Sequence, residues 1–128
     1  MDEPLNTPAH KKFFDDAVMR LKQIDFSGPL PDRFVRANFK GMNALKLGIE
    51  KSGFRGREDA SKLIEALEGL EMKEGDDFPQ GDKTLRKEDH QAFVRELIFE
   101  IKDGKPRILD VVAKERTVFP PACKFASA

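Results

Sequence analysis

The sequence predicts a mixed α/β fold in which three helices are followed by short strands and a C-terminal β-hairpin. Two patterns predict this class. Apolar residues recur at helical spacing through the first half of the chain, and apolar and charged residues alternate near its end. The length of 128 residues is that of a single domain, residues 1–128, which is large enough to bury a core of its own.

The first predicted helix covers residues 8–23. Thr7 can cap its free N–H groups, and a proline such as Pro8 suits the first helical position. Its apolar stripe recurs every three or four residues, at Phe13, Ala17, Leu21 and Ile24. Residues 27–31 that follow are rich in glycine and proline, which predicts a loop.

The second predicted helix covers residues 33–52, with Asp32 as its N-cap and Gly53 as a left-handed C-cap. It carries apolar residues on two faces, which is typical of a central, buried helix. Gly41 and Gly48 lower its helix propensity. We therefore expect these two glycines to allow the close approach of a neighbouring element.

The third predicted helix covers residues 58–68, where an acidic start suits the positive end of the helix. Residues 70–81 are rich in glycine, aspartate and proline and are predicted to form a loop. Short strands are expected at 70–72 and at 83–86.

The last third of the chain predicts a β-hairpin. Three apolar residues alternate with three others along its first strand: Leu97, Phe99 and Ile101 with Glu96, Ile98 and Glu100. Asp103 and Gly104 tolerate positive φ, which predicts a two-residue type I′ turn. Residues 107–112 return as the partner strand, with Pro106 at its start. We expect the tail, 113–128, to be extended.

The composition excludes several classes of function. There are 23 basic and 23 acidic residues, so no net field attracts nucleic acid or an anionic membrane. No apolar run approaches the roughly 18–20 residues that cross a bilayer. The acidic N-terminus lacks the apolar segment of a signal peptide, which predicts that the chain as written stays in the cytoplasm. The single cysteine, Cys123, excludes an internal disulfide.

No convergent set of residues predicts catalysis, and we expect neither an enzyme nor a cofactor. His90 stands beside Glu88 and Asp89, but a metal site needs three or four ligands and we expect none here. Cys123, His90 and Asp89 could be written as a nucleophilic triad. Against it, the cysteine lies in a proline-rich tail, where no helix N-terminus activates the thiol.

Other charged residues also have two readings. Glu96 and Glu100 face Arg107 across the predicted hairpin. An exposed cross-strand charge ladder is favoured over an acid–base pair, which would need a shared dry pocket. Arg55 and Arg57 could hold an anion at the start of the third helix, and surface charge is the simpler interpretation.

Five segments, taken in order, resemble a known family: 6–13 (NTPAHKKF), 39–53 (which ends GIEKSG), 64–70 (IEALEGL), 85–91 (LRKEDHQ) and 120–124 (PPACK). They look like the C-terminal part of the type I periplasmic solute-binding proteins, the branched-chain amino acid receptors of ABC transporters. The resemblance covers about residues 6–125, and its most specific segment is 85–91.

The resemblance implies a partial lobe of a two-lobed receptor, which binds an amino acid-like small molecule non-covalently and serves an ABC transporter permease in the periplasm. Among cleft positions, only Phe34 matches an aromatic ligand contact, and an ordinary core phenylalanine is the alternative. Glu88, Asp89, His90 and Gln91 correspond to a structural turn that orients side chains into the β-layer by hydrogen bonding.

Receptors of this family are more than twice as long as the chain. The lobe that holds the ligand carboxylate and ammonium has no counterpart in it. We therefore expect weak or absent amino acid binding by the chain alone. The alternative function is a ligand-free interaction module, which forms a homo-oligomer or joins a complementary fragment through an exposed sheet edge.

Overall fold

The computed structural model describes residues 7–27 and 33–122, without the side chains of residues 33, 34, 105 and 106. The described helices are α1 (Pro8–Gln23), α2 (Arg33–Ser52), α3 (Ala60–Leu67) and α4 (Lys114–Thr117). The described strands are β1 (Glu71–Met72), β2 (Lys83–Leu85), β3 (Ala92–Phe93), β4 (Glu96–Lys102) and β5 (Lys105–Val112). The predicted α/β class is confirmed, with helices first and a hairpin near the end.

Local signals determine where the first two helices begin and end. The Thr7 hydroxyl accepts a hydrogen bond from the backbone N–H of His10 at 3.3 Å, as predicted for the N-cap of α1. α2 ends before Gly53, whose φ is +66° and whose N–H donates to the Ile49 carbonyl at 2.9 Å. The predicted cap Asp32 lies outside the described residues. α3 starts two residues later than predicted, because a 3₁₀ turn, Arg57–Asp59, precedes it.

The described strands form two separate antiparallel sheets. β1, β2 and β3 form one sheet in that order, and β4 and β5 form the other. The predicted type I′ turn is confirmed by positive φ at both Asp103 (52°) and Gly104 (72°). A bulge interrupts the hairpin, since Ile98 pairs with Asp110 but the next residue, Phe99, pairs with Ile108. This bulge leaves Leu109 as the extra residue of β5.

The main core lies between α2, α3 and the first sheet. Its buried residues are Ala44, Leu70, Met72 and Phe78, with Leu47, Leu67 and Leu85 packed around them. α2 approaches α3 closely at Gly48, where an added Cβ would lie 2.7 Å from a Leu67 methyl carbon. The close approach predicted for Gly48 is therefore confirmed. At Gly41 the same test finds nothing within 4 Å, and the prediction is wrong there.

The prediction that α2 is buried on both apolar faces is wrong. Val35 is 44% exposed, Met42 66% and Leu45 38%. The face that α2 buries instead holds Lys40, Ala44 and Gly48. Small side chains on this face let the neighbouring chain approach, whereas the larger apolar residues stay on the open sides.

The predicted extended tail contains the short helix α4. Its last residue, Thr117, donates from its hydroxyl to the Lys114 carbonyl at 2.7 Å. Lys114 in turn donates from Nζ to the Thr84 hydroxyl at 3.2 Å. Beyond the helix, the Phe119 ring meets that of Phe93 edge-on at 5.5 Å. These contacts hold residues 114–119 against the first sheet, which local sequence did not predict.

Among the described residues, no helix is both long and apolar enough to cross a membrane.

Candidate functional site

A cleft between α1 and α2 is the candidate site for a small molecule. Its volume is about 550 Å³, which falls in the usual range for ligand pockets. Its floor is apolar and is formed by Phe13, Ala17, Leu21, Val35 and Phe39. Its rim carries both signs of charge, from Lys12, Asp16, Arg20, Asp76 and Asp77.

Aromatic packing and two ion pairs position the walls of the cleft. The Phe13 and Phe39 rings lie 4.9 Å apart at 51°, and this contact holds α1 on α2. Lys12 Nζ lies 2.9 Å from Asp16 and 3.3 Å from Asp76, so it joins α1 to the loop between β1 and β2. Its hydrogen bonds to Asp16 and then to Asp76 raise the pKa of Lys12.

The cleft offers both apolar surface and charged groups to a ligand. An apolar floor can bury a hydrocarbon group, while carboxylates and ammonium or guanidinium groups on the rim can hold opposite charges of a ligand. Across the part of the chain that the structure describes, no group of three or more His, Cys, Asp or Glu side chains could hold a metal ion. The arrangement suits the binding of a molecule that has an apolar part and charged groups.

Phe34, the predicted ligand contact, belongs to α2 by its backbone, and its side chain lies outside the described residues. Its neighbour Val35 lines the cleft. A role for Phe34 in binding therefore stays a prediction.

Two polar side chains of α1 and α2 are buried, and the sequence did not predict the burial of either. His10 is 2% exposed and Lys40 is 8% exposed. Arg36 connects the two helices, since its guanidinium lies 3.1 Å from His10 Nε2. The burial of His10 could have been predicted from helical spacing, because His10 precedes Phe13 by three residues and so lies on the same face of α1.

Lys40 is the more unusual of the two, because it buries an ammonium group. Its Nζ donates to the Gln80 side-chain oxygen. Burial, and then the positive charges of Lys83 and Arg36, lower the pKa of Lys40 to about 8, against a smaller opposing effect of Glu96. The partly dehydrated amine of Lys40 therefore lies near two other positive charges.

The predicted structural turn, residues 88–91, is anchored by an ion pair between Arg86 and Asp89. Arg86 Nε lies 2.7 Å from Asp89 Oδ1, and its Nη2 lies 2.5 Å from Oδ2, with both side chains largely buried. The Arg86 guanidinium also lies over the Phe93 ring at 4.7 Å and donates to the Phe119 carbonyl. Arg86 therefore joins the turn to the first sheet and to the chain beyond α4.

The other residues of the turn extend this network. The Gln91 N–H donates to Asp89 Oδ1 at 3.2 Å, and its carbonyl accepts from the Arg86 N–H at 2.8 Å. The His90 ring lies 3.1 Å from Glu68 at the end of α3, as does Lys87 Nζ. The His90 and then the Lys87 hydrogen bond lower the pKa of Glu68. Glu88 is exposed.

A second, smaller cavity lies between this turn and α3. It measures about 260 Å³ and is lined by Ile64, Leu67, Glu68, Leu85, Arg86 and His90. Its polar residues already have partners, since Glu68 pairs with His90 and Arg86 pairs with Asp89 of the turn. We therefore assign this cavity a packing role.

The sequence also left two interpretations open for several charged residues and for Cys123. Glu100 lies 3.7 Å from Arg107 in an exposed pair, which confirms this part of the predicted cross-strand ladder. Glu96, the other predicted member, lies opposite Val112. The backbone N–H of Arg55 donates to the Asp59 carboxylate, so the chain supplies its own anion near the start of α3. Cys123, the residue that the disfavoured triad would need as its nucleophile, lies outside the described residues.

No family model, no curated protein and no solved structure matches the chain.

Proposed function

We propose that the chain is the C-terminal part of an ABC-transporter solute-binding protein of the branched-chain amino acid type. In this proposal it binds a small amino acid-like molecule only together with the rest of that receptor. The order of the five family-like segments supports the family. The hairpin β4–β5 has an exposed apolar face, and this observation is the main support for the view that the rest of the receptor is needed.

The strand register defines that face. Residues that pair directly across two strands point to the same side of the sheet. One side therefore holds five apolar residues: Leu97, Phe99, Ile101, Ile108 and Val111. Phe99 is 50% exposed, Ile101 66% and Val111 42%. Because a lone two-stranded hairpin is only marginally stable in water, this face favours a covering partner.

The cleft between α1 and α2 supports the same function at the ligand. Its apolar floor and its rim of both charge signs suit a molecule that carries an ammonium, a carboxylate and an aliphatic group. A two-lobed receptor reaches high affinity by burying most of the ligand between its lobes. The chain supplies less than both lobes, so its own affinity is expected to be low.

The DNA immediately upstream of the coding sequence offers the first test. We expect a reading frame for the first lobe there, and we expect the protein made from both frames to bind leucine, isoleucine or valine in calorimetric titration. The variant Phe34→Ala should weaken this binding, whereas Phe26→Ala, which changes an exposed phenylalanine before α2, should not. An unrelated upstream sequence, or a joined protein that binds none of the three amino acids, would contradict the proposal.

The isolated chain offers the second test. Titration with the same three amino acids should give no binding tighter than about millimolar, equivalent to about 4 kcal/mol. Micromolar binding by the chain alone would show that it already holds a complete site.

A second candidate function is an interaction module that joins a second copy of the chain. The specific observation is that, among the described strands, β4 pairs with β5 alone, which leaves the second edge of β4 without a neighbouring strand in that part of the chain. Static light scattering decides it: the chain should have twice its mass of 14.5 kDa at high concentration. A constant monomer mass would exclude it.

A further inference from the structure

We propose that two copies of this chain pair through β4, in antiparallel orientation, with Phe99 on the two-fold axis. This inference rests on the second candidate function and gives it a strand, a register and a partner. The partner is a second copy of the chain.

The two edges of the hairpin differ in how well they can accept another strand. β5 contains Pro106, which has no N–H to donate, and the bulge at Leu109 interrupts its regular pairing. Proline and bulges are features that block edge pairing in natural sheets. β4 has neither over its seven residues, Glu96–Lys102. The open edge is therefore that of β4.

Side-chain alternation restricts the register. Directly opposed residues in an antiparallel pair share one face of the sheet. The two-fold axis that relates the two β4 strands can pass through a residue or between two residues. An axis between residues would place the apolar side of one hairpin next to the polar side of the other. Only an axis through a residue makes the two apolar sides continuous. With Phe99 on the axis, Leu97 of each copy faces Ile101 of the other. The apolar side then extends across four strands, which meets the usual minimum for a stable sheet.

The charges along β4 then select among the remaining axes. An axis at Phe99 places Glu96 of each copy opposite Lys102 of the other, which gives two attractive pairs. An axis at Ile98 opposes Glu96 with Glu100, and an axis at Glu100 opposes that residue with its own copy. Like charges directly opposed destabilise a sheet. Axes nearer the strand ends pair fewer residues.

Disulfide trapping tests the strand and the register. The background is Cys123→Ser, which removes the single native thiol. Opposed Cα atoms in an antiparallel pair lie about 4.5–5.5 Å apart, within the range that a disulfide spans. We expect Phe99→Cys to form a disulfide-linked dimer under mild oxidation. The matched control is Val111→Cys, which lies on the same apolar face but on β5, and it should cross-link about tenfold less at equal concentration.

A charge exchange provides the second measurement and does not depend on oxidation. Glu96→Lys places two lysines opposite each other at both ends of the pairing, so the dimer dissociation constant should rise about tenfold. Adding Lys102→Glu to this variant should restore it. Circular dichroism of each variant checks that the chain remains folded.

Each outcome has a defined meaning. Suppose that light scattering gives a dimer in which Val111→Cys cross-links as efficiently as Phe99→Cys, or in which the double charge variant does not regain the original dissociation constant. Either result would show that the pairing through β4 is wrong, while the second candidate function would stand. A monomer at every concentration overturns both. Neither result bears on the solute-binding proposal, which depends on the protein that also contains the first lobe.

Discussion

Lys40 places an ammonium group on the buried side of α2. The residue is 8% exposed and donates to Gln80. Its helix neighbours on this side are Ala44 and Gly48, whose small side chains draw the surrounding chain close. Dehydration of the ammonium and the nearby Lys83 and Arg36 charges lower the pKa of Lys40 to about 8, from 10.5 in the unfolded chain.

The lowered pKa of Lys40 makes stability rise with pH. Between about pH 8 and 10.5 the unfolded chain holds the Lys40 proton and the folded chain has lost it, so raising the pH favours folding. The full difference is about 3 kcal/mol. Lys40→Met should therefore increase the free energy of unfolding at pH 7 by about 1–3 kcal/mol and remove this rise. Urea denaturation at a series of pH values measures both.

The control for this prediction is Lys46→Met on the same helix. Lys46 is exposed and only loosely paired with Glu50, at 4.0 Å. This variant should change stability by less than about 0.5 kcal/mol and keep the rise above pH 8. A rise that persists in Lys40→Met would show that another group causes it.

Residue types alone did not predict the buried polar cluster, for a physical reason. A lysine in a helix is ordinarily solvated, and Lys40 is buried where it contacts Gln80, forty residues further along the chain. His10 is buried between Phe13 and Arg36, the latter from another helix. The ion pair between Arg86 and Asp89 could have been predicted from the sequence, because the two residues are three apart in one short charged turn.

At the scale of elements, the helices whose ends carry their own signals were predicted well. Thr7 and Gly53 act through local hydrogen bonds and positive φ, so neighbouring sequence suffices to place α1 and α2. β3 and α4 depend on contacts with residues distant in sequence, and both were missed. Thr117 of α4, for example, donates to the Val94 carbonyl at 3.4 Å.

The two glycines of α2 give a prediction at this scale. Gly48→Ala would force a methyl group to within 2.7 Å of Leu67 and 3.1 Å of Leu63, so α3 must shift or its leucines must change rotamer. Gly41→Ala meets nothing within 4 Å and gains helix propensity of about 1 kcal/mol. We expect Gly41→Ala to stabilise the protein by about 0.5–1 kcal/mol and Gly48→Ala to destabilise it by about 1 kcal/mol.

Thermal and urea unfolding of the two variants measures this difference, and each serves as the control for the other because the substitution and the helix are the same. Equal stabilisation by both would mean that α3 does not press on α2 at Gly48.

At the scale of the whole molecule, apolar burial is uneven. The core around Met72, which is 2% exposed, joins α2, α3 and the first sheet. The hairpin keeps Phe99 and Ile101 half or more exposed, and its strands pair chiefly with each other. A molecule divided in this way should open in two cooperative units, with the hairpin as the weaker one.

Hydrogen exchange at two protein concentrations tests this division. At low concentration the amides of β4 and β5 should exchange faster than those of α2 and β2, because little buried surface stabilises the hairpin. Raising the concentration about hundredfold should protect the hairpin by up to about 2.7 kcal/mol through mass action and leave the core amides unchanged. Glu96→Lys should reduce the added protection. Hairpin protection equal to that of the core at low concentration would instead mean that the two sheets unfold together, and that the exposed apolar face needs no partner for its stability.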